Sequence, residues 1–423
     1  MARVGVYRAL KEDWRGMISR LLIVAASLAF SSAQAAADDW AAPVTAQQKA
    51  LSDAGIDLGA GITQFGQGIA SGDGNPGFPL GGKVDVRLGL DGAQLGLWTG
   101  LSVSAHFEQL YGHSANDQGD GSIIPVNAAL AFPQLGGTST DLSLTVSQAL
   151  GSHVSVTVGK FNMYDAVASN PLIGGGGETT FWNLGLAVPI SGVTPPYIIG
   201  GLLSVKTELA NFSFRIYDPR DAQDLDVIRQ PFAQGATFSL STTIPLTLAG
   251  RSGFHTIRGV YSSAKGLNLE DIPQLLLPPG SAQVTGQKKG YYFGSYAFQQ
   301  YIWQDSEQPT RGWGVFGQIA LSDGNPNPVR ASAILGIGGS APFQGRSSDR
   351  WGIAWFYYKF SQHLKDGLST IGEGLNDERG VEAYYDAGLV NHIRLGPDAQ
   401  AIWPGTPGKP TVIFLGARGS LTF

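Results

Sequence analysis

The feature that most constrains this chain is a period of two, in which apolar residues alternate with polar or small ones. Between Lys83 and Asp91, every even-numbered residue is valine or leucine, and every odd-numbered one is charged or glycine. Because successive side chains of a β-strand point to opposite faces, this pattern predicts strands with one apolar and one polar face. The same alternation recurs at 101–108, 142–147, 154–159, 212–217, 381–387, 393–400 and 411–423.

Two kinds of β-structure alternate in this way, namely the soluble β-sandwich and the membrane β-barrel. A soluble sandwich keeps lysine and glutamate abundant on its outer face. Here the polar parity is mostly Ser, Thr and Gly with isolated ionisable residues, and only 14% of the chain is charged. The pattern therefore predicts an all-β fold, a transmembrane antiparallel β-barrel whose apolar parity faces lipid and whose polar parity faces a water-filled lumen.

The length of the chain sets the number of strands. Transmembrane strands need about 9 to 11 residues, and bacterial barrels have even strand numbers, with short turns at one end and long loops at the other. Sixteen strands would allow about 24 residues for each strand and its connector, which fits this layout. We therefore predict sixteen strands, with eighteen as the next best number. Long loops are predicted from Gly, Pro, Asn and Asp content at 112–122, 169–180, 223–234, 265–289, 339–350 and 361–379.

The N-terminal residues have the pattern of a secretory signal peptide. Five basic residues precede an apolar run from Leu21 to Phe30, which is followed by Ala33-Gln34-Ala35. The apolar run is too short to span a bilayer, for which about 20 residues are needed. The sequence thus predicts a signal peptide at 1–35 and a single barrel domain at 36–423. Within that domain, 45–54 is predicted as a short N-terminal helix, and the first strand begins near Ile56.

Composition argues against nucleic-acid binding and against stabilisation by disulfides. The chain has 28 basic and 33 acidic residues, and since the first 35 residues hold five basic and two acidic ones, the rest carries a net charge of −8. Such a charge disfavours nucleic acid as a partner. The chain has no cysteine, so hydrogen bonding and packing must hold it together without disulfides. A continuous β-ladder would meet this requirement.

The order of short glycine-rich blocks resembles the carbohydrate-selective porins of the OprB type. The resemblance is strongest at 311–325, 336–339, 345–349, 351–354, 381–385, 395–400 and 404–405, ahead of the aromatic C-terminal strand. Weaker matches lie at 81–82, at 159–162 with Asp165, and at Arg215 with Asp218. The resemblance implies a sixteen-stranded barrel in the bacterial outer membrane that conducts mono- and small oligosaccharides and carries out no catalysis.

The polar parity supplies candidate residues for solute contact. Sugars offer hydroxyl groups that donate and accept hydrogen bonds, so a sugar channel needs charged or amide side chains beside exposed aromatic rings. Arginine is favoured because its planar fork can contact two hydroxyls and keeps its charge. The alternative role for each candidate is an ion pair on the barrel wall. The arginine candidates are Arg87, Arg215, Arg394 and Arg418, and the other lumen-facing candidates are Asp85, His106, Glu108, Tyr217, Glu382, Tyr384, Asp386, Asp398 and Gln400.

Signals for enzymatic or cofactor chemistry are weak. The glycines at 174–177 are not followed by the Lys-Ser/Thr of a phosphate loop, and the calcium-like start at Asp323 lacks the required glycine and glutamate. The six histidines show no paired metal spacing. We therefore predict no cofactor and no metal, and a porin rather than an enzyme.

Three alternatives to a sugar porin stay open at this stage. They are a general or anion-leaning porin, an outer-membrane hydrolase with a Ser-His-Asp triad, and a soluble periplasmic sugar-binding protein. The predicted partners are small carbohydrates and the outer-membrane lipid bilayer, with no nucleic acid. Both a monomer and a homotrimer fit the sequence.

Overall fold

The structure is a computed structural model that describes residues 41–132, 137–276, 286–343 and 345–423. In these ranges the strands number sixteen and the α-helices five. The strands are β1 Ile56–Ser71, β2 Leu80–Asp91, β3 Leu101–Gly112, β4 Thr140–Leu150, β5 Val154–Asn162, β6 Tyr197–Lys206, β7 Asn211–Tyr217, β8 Thr237–Leu248, β9 Arg251–Leu267, β10 Gln287–Gln304, β11 Gly312–Ser322, β12 Val329–Ser340, β13 Arg350–Phe360, β14 Glu378–Val390, β15 Ile393–Trp403 and β16 Val412–Thr422.

The helices are short and lie outside the β-ladder. They are α1 Ala42–Asp53, α2 Met163–Ala168, α3 Leu184–Ala187, α4 Leu225–Arg229 and α5 Gln362–Ser369. Three 3₁₀ segments, Ala115–Asp117, Ala128–Leu130 and Leu269–Leu276, complete the elements of the described chain. The predicted signal peptide at 1–35 lies outside the described residues.

The sixteen strands form one closed antiparallel barrel in which each strand pairs with its neighbours in sequence. Closure occurs between β1 and β16, with Phe65 opposite Arg418 and Ile62 opposite Leu421. Because every strand has two partners, no edge is left with unpaired backbone groups, as a bilayer requires. The predicted strand number and barrel architecture are confirmed.

The two faces of the wall follow the predicted parity. Val86, Leu144 and Phe214 are exposed on the outer surface, whereas the neighbouring Asp85 and Ser143 are buried inside the barrel. The apolar parity thus forms the lipid-facing surface and the polar parity forms the inner face. Within the described ranges, no helix is long and apolar enough to cross a membrane.

The two ends of the barrel differ in the length of their connectors. The short-turn end carries 92–100, 151–153, 207–210, 249–250, 305–311, 341–349 and 391–392. The long-loop end carries 72–79, 113–139, 163–196, 218–236, 268–286, 323–328, 361–377 and 404–411. The long loop predicted at 339–350 is wrong, because its first residues continue β12 and the remaining connector lies at the short-turn end.

The N-terminal helix α1 lies at the short-turn end, close to the prediction of 45–54. Pro43 lies in its first turn, where a missing N–H costs nothing. Gly55, with a φ of +87°, ends the helix and leads into β1.

The two faces of β4 provide a test of the membrane register. Leu144→Arg places a charge on the lipid side near the middle of the strand and should cost about 2 to 4 kcal/mol of folding free energy. Thr145→Arg points the same side chain into the lumen and should cost much less. Heat-modifiability on gels and urea unfolding in detergent or lipid measure both variants, and equal destabilisation would contradict the register.

Candidate functional site

Two long connectors fold into the barrel and narrow its lumen. We name residues 113–132 the first inward segment and residues 163–196 the second inward segment. Leu172, Trp182 and Leu186 of the second segment are almost fully buried although they lie outside the strands. They pack with inner-face aromatic residues of the wall, including Phe316 and Phe356. The segments therefore occupy part of the barrel interior.

The second inward segment is held to the wall by charged side chains that contact its backbone. Glu382 on β14 accepts hydrogen bonds from the backbone N–H groups of Trp182 and, at 2.9 Å, of Asn183. Arg418 on β16 donates to the carbonyl of Thr180 at 3.0 Å, and its guanidinium lies 5.4 Å from the Trp182 ring centre. These bonds satisfy backbone groups that would otherwise be buried without partners.

The first inward segment is held in a similar way by β14 and β15. Glu378 accepts from the backbone N–H groups of Ile123 at 2.7 Å and Ile124 at 2.9 Å. The amide of Gln400 donates to the carbonyl of Val126 at 2.9 Å. The wall from β13 to β16 is thus covered by both inward segments.

Burial beneath or beside the inward segments changes the role of six of the predicted pore residues. Their side chains point into the barrel as predicted, but each is at most 5% exposed. The expectation that they contact solute is corrected, because they bond to or pack against the inward segments and the wall around them instead of meeting pore water. These residues are Tyr217, Glu382, Tyr384, Asp398, Gln400 and Arg418.

A charged cluster lies on the neighbouring wall, beyond β1, where β2 and β3 meet the second inward segment. Its centre is Lys83, whose Nζ lies 2.9 Å from Asp85, 2.6 Å from Glu108 and 2.5 Å from Glu178. Asp85 and Glu108 are only 2% exposed. These two predicted pore residues therefore serve to neutralise a buried lysine, and Glu178 ties the inward segment to the same charge.

His106 extends this cluster by bridging two carboxylates. Its Nε2 lies 2.8 Å from Asp85 and its Nδ1 lies 2.8 Å from Asp165 of α2. Asp85, His106 and Glu108 offer atoms within 4.8 Å of one another, a spacing that a metal ion could use. Because the Lys83 ammonium already lies against both carboxylates, a second cation would be repelled, and we assign no metal here.

Arg87 is the basic member of the cluster that reaches open lumen. Its side chain is 48% exposed, and its guanidinium lies 3.7 Å from Asp85, 3.8 Å from Asp165 and 3.7 Å from Glu178. These separations are long for ion pairs, and therefore its donors stay accessible to a solute. Of the predicted pore residues in this cluster, Arg87 best meets the geometric requirement for solute contact.

A second basic region lies on β7 and β9. Arg215 faces the lumen opposite Ser239 of β8, and Arg258 of β9 donates to the same Ser239 hydroxyl at 3.0 Å. Arg258 also donates to Thr194 of the second inward segment at 2.8 Å. Within the described part of the chain, neither arginine forms an ion pair with a carboxylate. The lumen therefore has a locally positive wall here.

Sequence reasoning missed Arg258. The inner parity of β9 mixes polar Thr256 and Arg258 with apolar Phe254 and Val260, so this strand lacked the clean alternation used elsewhere. Val260 turns inward because it packs against Val193 of the second inward segment. Apolar residues therefore occupy those inner positions of β9 that pack against the second inward segment.

The fourth predicted arginine, Arg394, lies near the short-turn end and is tied to its own wall. Its guanidinium donates to the Asp386 carboxylate and, at 2.8 Å, to the carbonyl of Ser348. Asp386 also accepts from Arg418 at 3.1 Å. Arg394 is therefore mainly an ion-pair residue, the alternative role that was left open for each candidate.

The open part of the inner wall is rich in hydroxyl groups. Ser147 and Thr157 bond to each other at 2.7 Å across β4 and β5, and Thr243 and Thr256 do so at 2.9 Å across β8 and β9. Hydroxyls both donate and accept hydrogen bonds, so they can exchange partners with water or with a polyol. The lumen thus combines a hydroxyl-lined wall with accessible arginines.

The comparisons with known proteins agree with this geometry. Residues 234–423 match the family model described as "Carbohydrate-selective porin, OprB family". Among solved structures, the chain is similar to Pseudomonas putida OprB at high pH, with 16% identity and a TM-score of 0.75 over 90% of this chain and 97% of that one. A comparison with curated proteins finds no match.

Two other solved structures are more distantly similar to this chain. Salmonella typhi OmpF has 10% identity and a TM-score of 0.53 over 88% of this chain and 99% of its own. The outer membrane channel DcaP of Acinetobacter baumannii has 10% identity and a TM-score of 0.52 over 87% of this chain and 97% of its own. At such low identity these structures support the barrel fold.

Glu382 provides a test of how the second inward segment is held. Glu382→Ala leaves the N–H groups of Trp182 and Asn183 without their acceptor, at a cost of about 1 to 3 kcal/mol for each unsatisfied group. The segment should loosen, giving a larger and noisier single-channel conductance and faster proteolysis within 163–196. Glu208→Ala, at an exposed turn, is the control. Unchanged conductance and proteolysis in Glu382→Ala would contradict the proposed clamp.

The connector 218–236 should show a pH-dependent local stability. Burial raises the pKa of Asp221 to about 6, although the N–H of Gln223 bonds to it at 3.0 Å. The ordinary carboxyl pKa is about 3.9. Because the folded state binds the proton more tightly, this contribution to stability is fully present below about pH 4 and is lost as pH rises through about 6.

Hydrogen exchange, corrected for intrinsic rates, should therefore show weaker protection of 218–236 at pH 7.5 than at pH 4.5. Asp221→Asn should remove this difference, whereas Asp226→Asn, an exposed carboxylate on the same connector, should keep it. A pH difference that survives in Asp221→Asn would assign the effect to another group.

Proposed function

We propose that this chain, whose residues 234–423 match the model of the carbohydrate-selective porin family OprB, is an outer-membrane pore for passive diffusion of small sugars. The barrel supplies a closed wall that satisfies all strand backbone groups within lipid. The inward segments narrow the lumen, so that solutes pass close to the wall. A signal peptide at 1–35 would direct the chain out of the cytoplasm.

The observation that carries this proposal is the chemistry of the accessible lumen. Hydroxyl groups of Ser and Thr, together with Arg87 and Arg215, can replace part of the water shell of a sugar. Each contact is open to water on one side, which keeps binding weak enough for release. A wall that binds weakly at several points favours diffusion of polyols over tight capture.

The two arginines have different surroundings and hence different roles. Arg87 lies among carboxylates, and with Asp165 it offers a donor and an acceptor side by side. Arg215 lies beside Arg258 with no carboxylate partner in the described residues, so it offers donors alone. A neutral sugar can use both regions. Its hydroxyls can accept hydrogen bonds from Arg215 and from Arg87, and can donate one to Asp165.

A hydrolase is disfavoured by the contacts of the histidines. In the described ranges, the serine bonded to a histidine ring is Ser152, on the exposed β4–β5 turn, at 2.8 Å from His153. No carboxylate bonds to His153 in the same ranges. A triad needs a third group that orients the histidine. We therefore propose a pore without enzymatic activity.

A second candidate, an anion-leaning porin, is favoured by one observation. Arg215 and Arg258 form a positive wall without a carboxylate partner among the described residues, and local charge sets ion preference more than total charge. The two functions differ in whether neutral sugars reduce the ion current. Both a monomer and a homotrimer fit this function.

The proposed function is tested in planar bilayers with the purified protein. Glucose and maltose should each reduce the ion current in a concentration-dependent way, because a bound sugar displaces ions from the narrowed lumen. Ion conductance that neutral sugars do not alter would instead support a general or anion-leaning porin.

The roles of Arg87 and Arg215 are tested by glutamine substitutions. Losing a charged hydrogen-bond donor costs about 1.5 kcal/mol or more, so sugar block should weaken about tenfold in Arg87→Gln and in Arg215→Gln. Arg215→Gln should also shift the reversal potential toward cations. Arg229→Gln, an exposed residue on α4, is the control. Wild-type block and ion preference in both variants would leave these arginines as wall residues only.

A further inference from the structure

The lumen contains a cavity at the short-turn end, adjacent to the charged cluster. Its volume is about 970 Å³, and it is lined by α1, α2 and the strands β1 to β5. Small-molecule sites commonly measure about 300 to 1,000 Å³, so the space is large enough for a sugar of one or two rings with its water. The predicted pore residues Arg87 and His106 form part of its lining.

The wall that α1 contributes is unusual for a surface helix. Its cavity-facing residues are Thr45, Gln48, Lys49 and Ser52, which follow the i, i+3, i+4, i+7 spacing of one helical face. A surface helix normally turns an apolar stripe toward the protein. Here that stripe is polar, and no residue of α1 is buried. The helix therefore faces water, not a hydrophobic core.

Hydrogen bonds hold α1 in this position. The amide of Gln48 donates to the carbonyl of Leu58 at 2.9 Å, and the hydroxyl of Ser52 donates to Asp57 at 2.6 Å. Both partners lie at the start of β1. The polar face is thus kept over the cavity without the apolar burial that usually docks a helix.

The barrel wall and α2, across the cavity from α1, carry complementary groups. Arg87 is 48% exposed and Asp165 is 43% exposed, so a donor fork and an acceptor carboxylate both face the space. Ser104 and Thr145 add hydroxyls from β3 and β4. Together with the amide of Gln48, the lining offers donors and acceptors on facing sides.

We propose that this cavity is a saccharide subsite, between the narrowed lumen and the short-turn mouth, with α1 as one wall. This inference rests on the proposed function and extends it to a particular place in the pore. Its ligand is a neutral mono- or disaccharide, because paired donors and acceptors match adjacent sugar hydroxyls. The lining has little aromatic surface for stacking, so binding is weak and a sugar is retained only briefly before release.

The test uses oriented single channels of the full-length mature protein, with maltose added to one side at a time. Ser104→Trp fills the cavity from a lumen-facing position. Thr247→Trp, on the lumen face of β8 at the same end but outside the cavity lining, is the matched control. The α1 double variant, Gln48→Leu with Lys49→Met, removes polar groups of the helix and leaves the barrel wall unchanged.

In the wild type, maltose added at the short-turn side should give current fluctuations with a residence time set by the subsite. Ser104→Trp and the α1 double variant should shorten that time about three- to tenfold, the equivalent of about one net hydrogen bond. Thr247→Trp should retain the wild-type residence time.

Equal residence times in the wild type, Ser104→Trp and the α1 double variant would overturn the subsite. So would fluctuations that occur only when maltose is added at the long-loop side, although sugar conduction itself would then stand. Absence of any sugar effect from either side in the wild type would overturn the proposed function and the subsite together.

Discussion

The whole structure depends on the requirement that backbone N–H and C=O groups within a bilayer be paired. Here the pairing of β1 with β16 meets that requirement by closing the sheet. Closure gives every residue of the wall one of two environments, lipid outside or the barrel interior inside. The alternation along the chain and the face to which each strand residue points follow from this constraint.

Closure alone makes a wide tube, and the inward segments convert it into a narrower passage. They are fixed by buried carboxylates and an arginine that bond to their backbone, chiefly Glu378, Glu382 and Arg418. Charged groups are suited to this task because they offer strong hydrogen bonds to several backbone groups at once. The interior is therefore divided into a covered wall, which holds the segments, and an accessible wall, which is available to solutes.

The accessible wall is chemically uneven, and this unevenness suits sugars. One side carries Arg87 among carboxylates, another carries Arg215 and Arg258 without them in the described residues, and hydroxyls lie between. Toward the short-turn end, the polar face of α1 adds a further hydrogen-bonding surface. A polyol can exchange partners along this path, with no single contact strong enough to retain it.

The sequence by itself predicted the barrel, with sixteen strands preferred to eighteen. It also predicted the face to which residues of the clearly alternating strands point, because a shift of one residue would move their apolar side chains from lipid into water. It also indicated the OprB resemblance, most strongly in the C-terminal part where the family model matches. Only the tertiary structure decided which inner residues meet solute. Glu382 and Arg87 both point from their strands into the barrel. Glu382 is nevertheless covered by a segment some 200 residues away in sequence, whereas Arg87 is half exposed. Local alternation carries no information about such distant contacts, and neither the burial of Gln400 nor the pairing of Lys83 with Glu178 could be read from it.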